Sequence, residues 1–338
     1  MRWSPSGWIV TYRPSRSARA LRDANALPST GPAATLKNDE GWIMRAPRPA
    51  AVLTATLLAI GVLGAVAQPA WAKHEPACLP NCDGANLAGA QLQDANLSGG
   101  SFVGANLSGA IFSRANLTGA VFTKANLTRA NLNNADLSQR DLTGTILVGT
   151  KLKHANLSGS QLPQGDLTGA DLERATLDGA NLTGATLKGT RLYYARLVKA
   201  TMPGANLSGA NIMGANLSEA DLTGSTLVGA KAFRTVFAGA SLKQAHIGNA
   251  NLQFANLSGA DISSADMVKT RLWGANLKGA NAQDAKMSNT NIMRAAFDRA
   301  DLSRATLKGA FGLATFRRTT FLNTTCPSGK VVSAPAHC

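Results

Sequence analysis

Histidine is almost missing from this chain, and with it most of the usual routes to catalysis. Of the four, His154 and His246 stand alone in the middle and His74 and His337 lie in the end segments. No Ser/His/Asp or Cys/His grouping converges, so the chain reads as a non-enzyme without catalytic, cofactor-binding or metal-ligating residues. Cysteine is as scarce and confined to the ends, at Cys78 and Cys82 and at Cys326 and Cys338. The CxxxC spacing of the first pair lacks the further His or Cys cluster that a zinc site needs. Two periodicities are absent as well: apolar residues do not recur at the helical spacing of 3.6 or the strand spacing of 2.

What replaces them is a period of five. From residue 85 to 310, Ala-Asn/Asp-Leu-x-x recurs without a break in frame, with centres at Leu87, Leu92, Leu97, Phe102, Leu107, Phe112 and onward to Leu302 and Leu307. Residues five apart on a helix are offset by roughly 140°, and on a flat strand they alternate faces. The chain must therefore turn a corner in every pentad to keep each centre on one interior, which makes a coil and, stacked, a solenoid. The corner chemistry agrees. Met202-Pro203-Gly204-Ala205 places Pro and Gly at the two middle positions of a type II turn, and Gly99, Gly104 and Gly209 fill the second place elsewhere, with Asn134, Asn249 and Asn289 as substitutes.

Ala-Asn-Leu-Ser-Gly, Ala-Asp-Leu-Thr-Gly and Ala-Asn-Leu-Thr-Gly resemble the pentapeptide-repeat family. The resemblance implies an all-β fold, a right-handed quadrilateral β-helix with four pentads per coil. It implies a scaffold and names no activity. A single buried Leu, worth about 1.5–3 kcal/mol, does not offset the ordering of five backbone residues, about 5–10 kcal/mol. Stability must come from stacked coils that share a core. Two centres are undersized, Ala232 and Ala282, where cavities or inward-swinging neighbours such as Phe233 are expected.

The ends read differently. Residues 1–43 carry no apolar period and are expected to be disordered or a mis-assigned upstream extension. Residues 44–72 read as a secretory signal: a basic Met44-Arg45-Ala46-Pro47-Arg48, an apolar run over 50–66, and Ala70-Trp71-Ala72 as a small-x-small cleavage site. No adjacent Arg pair precedes the run, and Cys78 is preceded by Glu75-Pro76-Ala77 in place of a run of small aliphatic residues, which argues against twin-arginine and lipoprotein processing. The competing reading is an uncleaved anchor, since no charge falls between Arg48 and Lys73. Cleavage leaves a periplasmic or secreted chain with no stable membrane insertion. Residues 73–84 form an N-terminal cap, 85–310 the β-helix, and 311–338 a final coil and C-terminal cap in which Phe311, Phe316 and Phe321 serve as coil and plug after a one-residue slip beyond Leu307. About eleven coils at about 4.8 Å make a rod about 50 Å long. Its ends are too far apart for a disulfide between them, so Cys78 should pair with Cys82 and Cys326 with Cys338.

Charge bounds the partners. The full chain is +15; residues 1–72 hold eight basic and three acidic residues, leaving 34 − 8 = 26 basic and 19 − 3 = 16 acidic, or +10. The family's DNA mimics that occupy gyrase are acidic and cytoplasmic, so an exported basic rod does not fit that role. The acidic residues Asp136, Asp141, Asp166, Asp171, Asp221, Asp261, Asp266 and Asp301 occupy the pentad place that Asn usually fills, which makes them a feature of the repeat.

With four pentads per coil, residues twenty apart form columns. One face then collects Arg191, Tyr193, Tyr194, Met213, Lys231, Phe233, Arg234, Phe254, Arg271, Trp273, Met293 and Arg294. Every aromatic at an outward place of the array lies on it, while the other faces offer Ser, Thr, Gly, Asn and scattered charge. Aromatics interleaved with Arg favour a contact surface. The expected function is an exported non-enzymatic scaffold in protein–protein interaction, self-association or envelope structure. The alternative is a periplasmic binding protein for an anionic glycan or envelope polymer, held on the same aromatic and basic face.

Overall fold

In a computed structural model the described residues are 36–37, 43–44, 75–333 and 338. The chain divides into two units at residue 70. In the first, Leu36–Lys37 pairs antiparallel with Ile43–Met44, a short ladder in a stretch read from sequence as without order. The signal-like segment beyond Met44, and His74, lie outside the described residues.

The second unit is a four-sided β-helix in which each pentad contributes one bridging residue, one inward centre and one turn. Bridges run parallel between residues twenty apart, from Asn81 with Ser101 to Asn291 with Phe311. Twenty residues per coil means four pentads, the number the period of five left open. The ladder begins at Asn81, four residues before the expected boundary at 85, so Cys82 already occupies a centre.

Each place in the pentad has its own physical task. The centre residue and the small residue two before it both face the interior and are buried. Where the small residue is Thr, its hydroxyl donates to a carbonyl of the coil below, as Thr150 does to Leu127 at 2.8 Å and Thr235 to Ile212 at 2.7 Å, so the buried oxygen is satisfied. The residue before the centre is Asn or Asp because its Oδ1 accepts the N–H two residues on, as in Asn206 with Ser208 and Asp221 with Thr223. Asn also donates down the column, Asn106 to Asn86 at 3.0 Å and Asn276 to Asn256 at 3.1 Å. The last place has positive φ throughout, whether it holds Gly204 at 66° or Arg234 at 56°.

The core is a column of Leu with stacked Phe at its ends: Phe102 on Phe122 at 5.3 Å and Phe297 on Phe316 at 5.2 Å. Ala232 and Ala282 are fully buried. Phe233 does not fill the space beside Ala232; it packs outward against Phe254, edge to face at 5.6 Å.

Both ends close as expected, Cys78 to Cys82 and Cys326 to Cys338. Cys82 and Cys326 are themselves buried, each in line with a column of centres, so a half-cystine replaces Leu at either end. A hairpin of Thr324–Thr325 with Val331–Val332 covers the last coil. The slip falls later than expected: Phe311 keeps the spacing of twenty, whereas Ala296 bridges Thr315, Asp301 bridges Thr320 and Thr306 bridges Thr325, all nineteen apart. Phe316 and Phe321 are therefore the plug, and Phe311 stands at an exposed bridging place.

One interruption is unexpected. No bridge joins Asn116 to Asp136 or Val121 to Asp141, although the ladder continues on both sides. Arg140 holds the small-residue place between those two positions, with its Nε buried and unpaired.

Candidate functional site

The turn places that follow the centres on one face carry aromatic rings, where the other faces carry small, aliphatic, amide or charged residues. Tyr193 and Tyr194 follow Leu192, Phe233 and Arg234 follow Ala232, Phe254 lies two after Leu252, and Trp273 follows Leu272. Because coils stack directly, rings from successive coils meet. Phe254 lies 5.6 Å from Phe233 and 4.8 Å from Trp273, on the coils to either side, while the Tyr193 and Tyr194 centroids, neighbours on one coil, are 4.2 Å apart. The guanidinium of Arg234 sits 5.2 Å over the Phe233 ring, a cation–π contact. Tyr194, Phe254 and Met293 remain among the most exposed large side chains of the described residues, Tyr194 at 51%. The Tyr193 hydroxyl titrates above its ordinary value, first because of its hydrogen bond with Tyr194 and then through partial desolvation.

This arrangement costs backbone energy that the fold does not require. Tyr194 and Phe254 adopt φ of 54° and 57°, the left-handed region, at about 1–2 kcal/mol each for a residue with a Cβ. Glycine answers each ring one coil on. A Cβ at Gly214 would overlap the Tyr194 ring, and one at Gly274 would overlap Phe254. Along this column Gly214 follows Tyr194 and Gly274 follows Phe254, so each ring packs against a glycine of the next coil.

The predicted site residues divide into two groups. Tyr193 with Tyr194, and Phe233, Arg234, Phe254 and Trp273, form two ring clusters, with the half-buried Met213 on the coil between them. Arg191 turns away from the rings toward Asp171 at 3.7 Å, joining a charged rung in which Lys153 bonds Glu173 at 2.8 Å. Lys231, Arg271 and Arg294 are exposed and take no ion pair among the described residues. His154 and His246 are exposed on separate coils, and no group of acidic, His or Cys side chains among the described residues could hold a metal ion.

The structure also extends the strip. Phe311, 55% exposed, bridges Asn291, and the Leu313 carbonyl accepts from Arg294, leaving the Leu313 side chain 88% exposed on the same face. Gly312 permits this: a Cβ there would lie 2.6 Å from the Met293 backbone. Reading Phe311 as part of the plug concealed it, and the unbroken spacing of twenty from Asn291 was the available signal.

Comparison with known proteins fits this architecture. The family described as pentapeptide repeats matches in eight copies over residues 81–119, 101–139, 122–159, 141–174, 166–202, 190–229, 235–274 and 274–309. No curated protein matches the chain. Among solved structures, HetL, a pentapeptide repeat protein involved in heterocyst differentiation regulation from the cyanobacterium Nostoc sp. strain PCC 7120, is 32% identical over 72% of this chain and 93% of its own, with a TM-score of 0.28. QnrB1, a plasmid-mediated fluoroquinolone resistance protein, is 19% identical over 52% of this chain and 89% of its own, with a TM-score of 0.27. With the family matched across most of its length and coils of four pentads throughout, this chain belongs to the pentapeptide repeat proteins and has their right-handed quadrilateral β-helix.

Proposed function

We propose that this protein is an exported, non-enzymatic scaffold that makes a protein–protein contact through the aromatic face, a second copy of the chain being the first partner to test. Pentapeptide repeat proteins are generally non-enzymatic scaffolds, and export rests on the three-part signal ending at Ala72. The observation that carries the contact is the ring chain itself: Phe233, Phe254 and Trp273 touch in succession, and Tyr194 and Phe254 stay exposed at left-handed places that elsewhere hold Gly or polar and charged residues. Exposed aromatic and Met side chains beside Arg have the composition of an interface core. A repeating strip also matches itself, because a second copy presents the same coil spacing. The net charge of +10 calculated for the exported portion opposes DNA mimicry.

Replacing Tyr194, Phe254 and Trp273 together by Ser tests the contact. The variant should retain β-rich circular dichroism and lose self-association in sedimentation and partner capture from envelope extract. Unaltered sedimentation and capture would show the face to be inert. N-terminal mass analysis of the exported protein should place the mature start at Lys73, within a residue or two. An intact chain in the membrane fraction would instead identify the segment as an anchor.

A further inference from the structure

A second site, separate from the aromatic strip, lies at the C-terminal end of the adjoining column. Lys278, Gly279, Asp298, Arg299, Arg317 and Arg318 line a cavity of about 620 Å³. Its shape follows from the column of turn places. Gly239, Gly259 and Gly279 succeed one another, and then Arg299 and Arg318 take the same place on the last two coils. Gly279 has open space where a Cβ would stand, so it forms a floor beside two projecting guanidinium side chains.

The charges in this cavity differ from the opposite-charge rungs found at several other places on the rod. Arg114 stacks on Asp94 at 2.7 Å, Arg304 on Asp284 at 2.7 Å, and Lys199 on Glu219 at 3.5 Å, each one coil apart. Here Arg299 stacks under Arg318, with the Arg299 N–H donating to the Arg317 carbonyl at 2.7 Å. None of Lys278, Arg299, Arg317 and Arg318 takes an ion pair among the described residues. The only carboxylate present, Asp298, already accepts the Arg317 N–H at 2.9 Å, and that bond, then Thr315, holds it below its usual range. Four cations thus converge against one occupied anion. Both stacked arginines also adopt left-handed backbone, at 63° and 57°, where the fold would accept Gly at lower cost.

We propose that this cavity binds a phosphate-bearing anion, gripped by the forks of Arg299 and Arg318 with Lys278 and Arg317 supplying further charge. Planar guanidinium forks match phosphate oxygens two at a time, and the cavity is wide enough for more than one phosphate. The chemistry is shared by soluble oligophosphates and by anionic lipid headgroups, and the site does not depend on the contact proposed for the aromatic face.

The test titrates the mature chain with inorganic tripolyphosphate by calorimetry. In parallel it measures co-sedimentation with phosphatidylglycerol vesicles against phosphatidylcholine vesicles. The variant is Arg299→Gly with Arg318→Gly, which restores the usual residue at that place and so preserves the fold. A control carries Lys124→Gly with Arg129→Gly, two cations at the same turn place on distant coils. Expected is tripolyphosphate binding weakened by about tenfold or more in the arginine variant and unchanged in the control. The same dependence seen with phosphatidylglycerol vesicles alone would identify a headgroup as the source of the phosphate. Absence of binding to both probes, or equal weakening in variant and control, would overturn the site.

Discussion

At the residue scale, most positions obey one of five environments, and the exceptions carry the information. Arg140 is the sharpest, a guanidinium at a place that otherwise holds Ala, Gly, Ser or Thr. Its Nε is buried without a partner, and the bridges of Asp136 to Asn116 and of Asp141 to Val121 are lost. Arg140→Ala should close both bridges and raise stability by about 1–3 kcal/mol, the cost of an unsatisfied buried polar group. Denaturant unfolding measures the gain, and slower amide exchange at Asp136 and Asp141 would locate it; unchanged exchange there would clear Arg140 of opening the ladder. This exception was visible in the sequence only as a frame position, because the period marks Arg140 as small-residue place without showing which bonds a larger side chain breaks. Phe233 was legible in the same limited way. The undersized Ala232 suggested an inward turn, but the ring finds Phe254 and Arg234 on the surface instead.

At the scale of the element, the pentad is a turn held by one side chain. Asp136 and Asp141 each accept an N–H two residues on, from Ser138 at 3.0 Å and Thr143 at 2.9 Å. Those bonds, with the neighbouring hydroxyls first, hold both carboxyls below their ordinary value. A folded carboxyl depressed in this way contributes stability that is complete above its unfolded pKa, about 3.9, and is lost as pH falls through that region and below. Unfolding midpoints measured from pH 7 downward should therefore hold steady and then decline below about pH 4. Asp136→Asn with Asp141→Asn should reduce that decline, since Asn supplies the same acceptor without titrating. An identical acid profile in the double variant would remove these turns as its cause. The equivalence of Asn and Asp at this place was legible from the repeat, whereas its bonding partner was not, because the period does not reveal which N–H the oxygen meets.

At the scale of the molecule, the period of five and the Pro-Gly corner specified a coil, and the four sides came from family resemblance before the bridges of twenty displayed them. Columns twenty apart place the rings on one face in two clusters, Tyr193 with Tyr194 and Phe233 with Phe254 and Trp273. The basic cavity was hidden for a definite reason. Counting by twenty puts Thr319 over Arg299, and only the nineteen-residue final coil places Arg318 there. The same late slip moved Phe311 from plug to surface and lengthened the exposed strip toward Leu313. The extension of the strip and the cavity thus both depend on the one coil that departs from the repeat.

Hydroxyl-radical footprinting of the protein in its native cell, compared with the purified protein at high dilution, tests the proposed contact role of the aromatic face most directly. The account predicts that Tyr194, Phe254 and Trp273 label more in the dilute protein than in the cell, while exposed side chains on other faces, such as Val228 and Ile146, label alike in both. Equal labelling of the three rings in the two settings would contradict it.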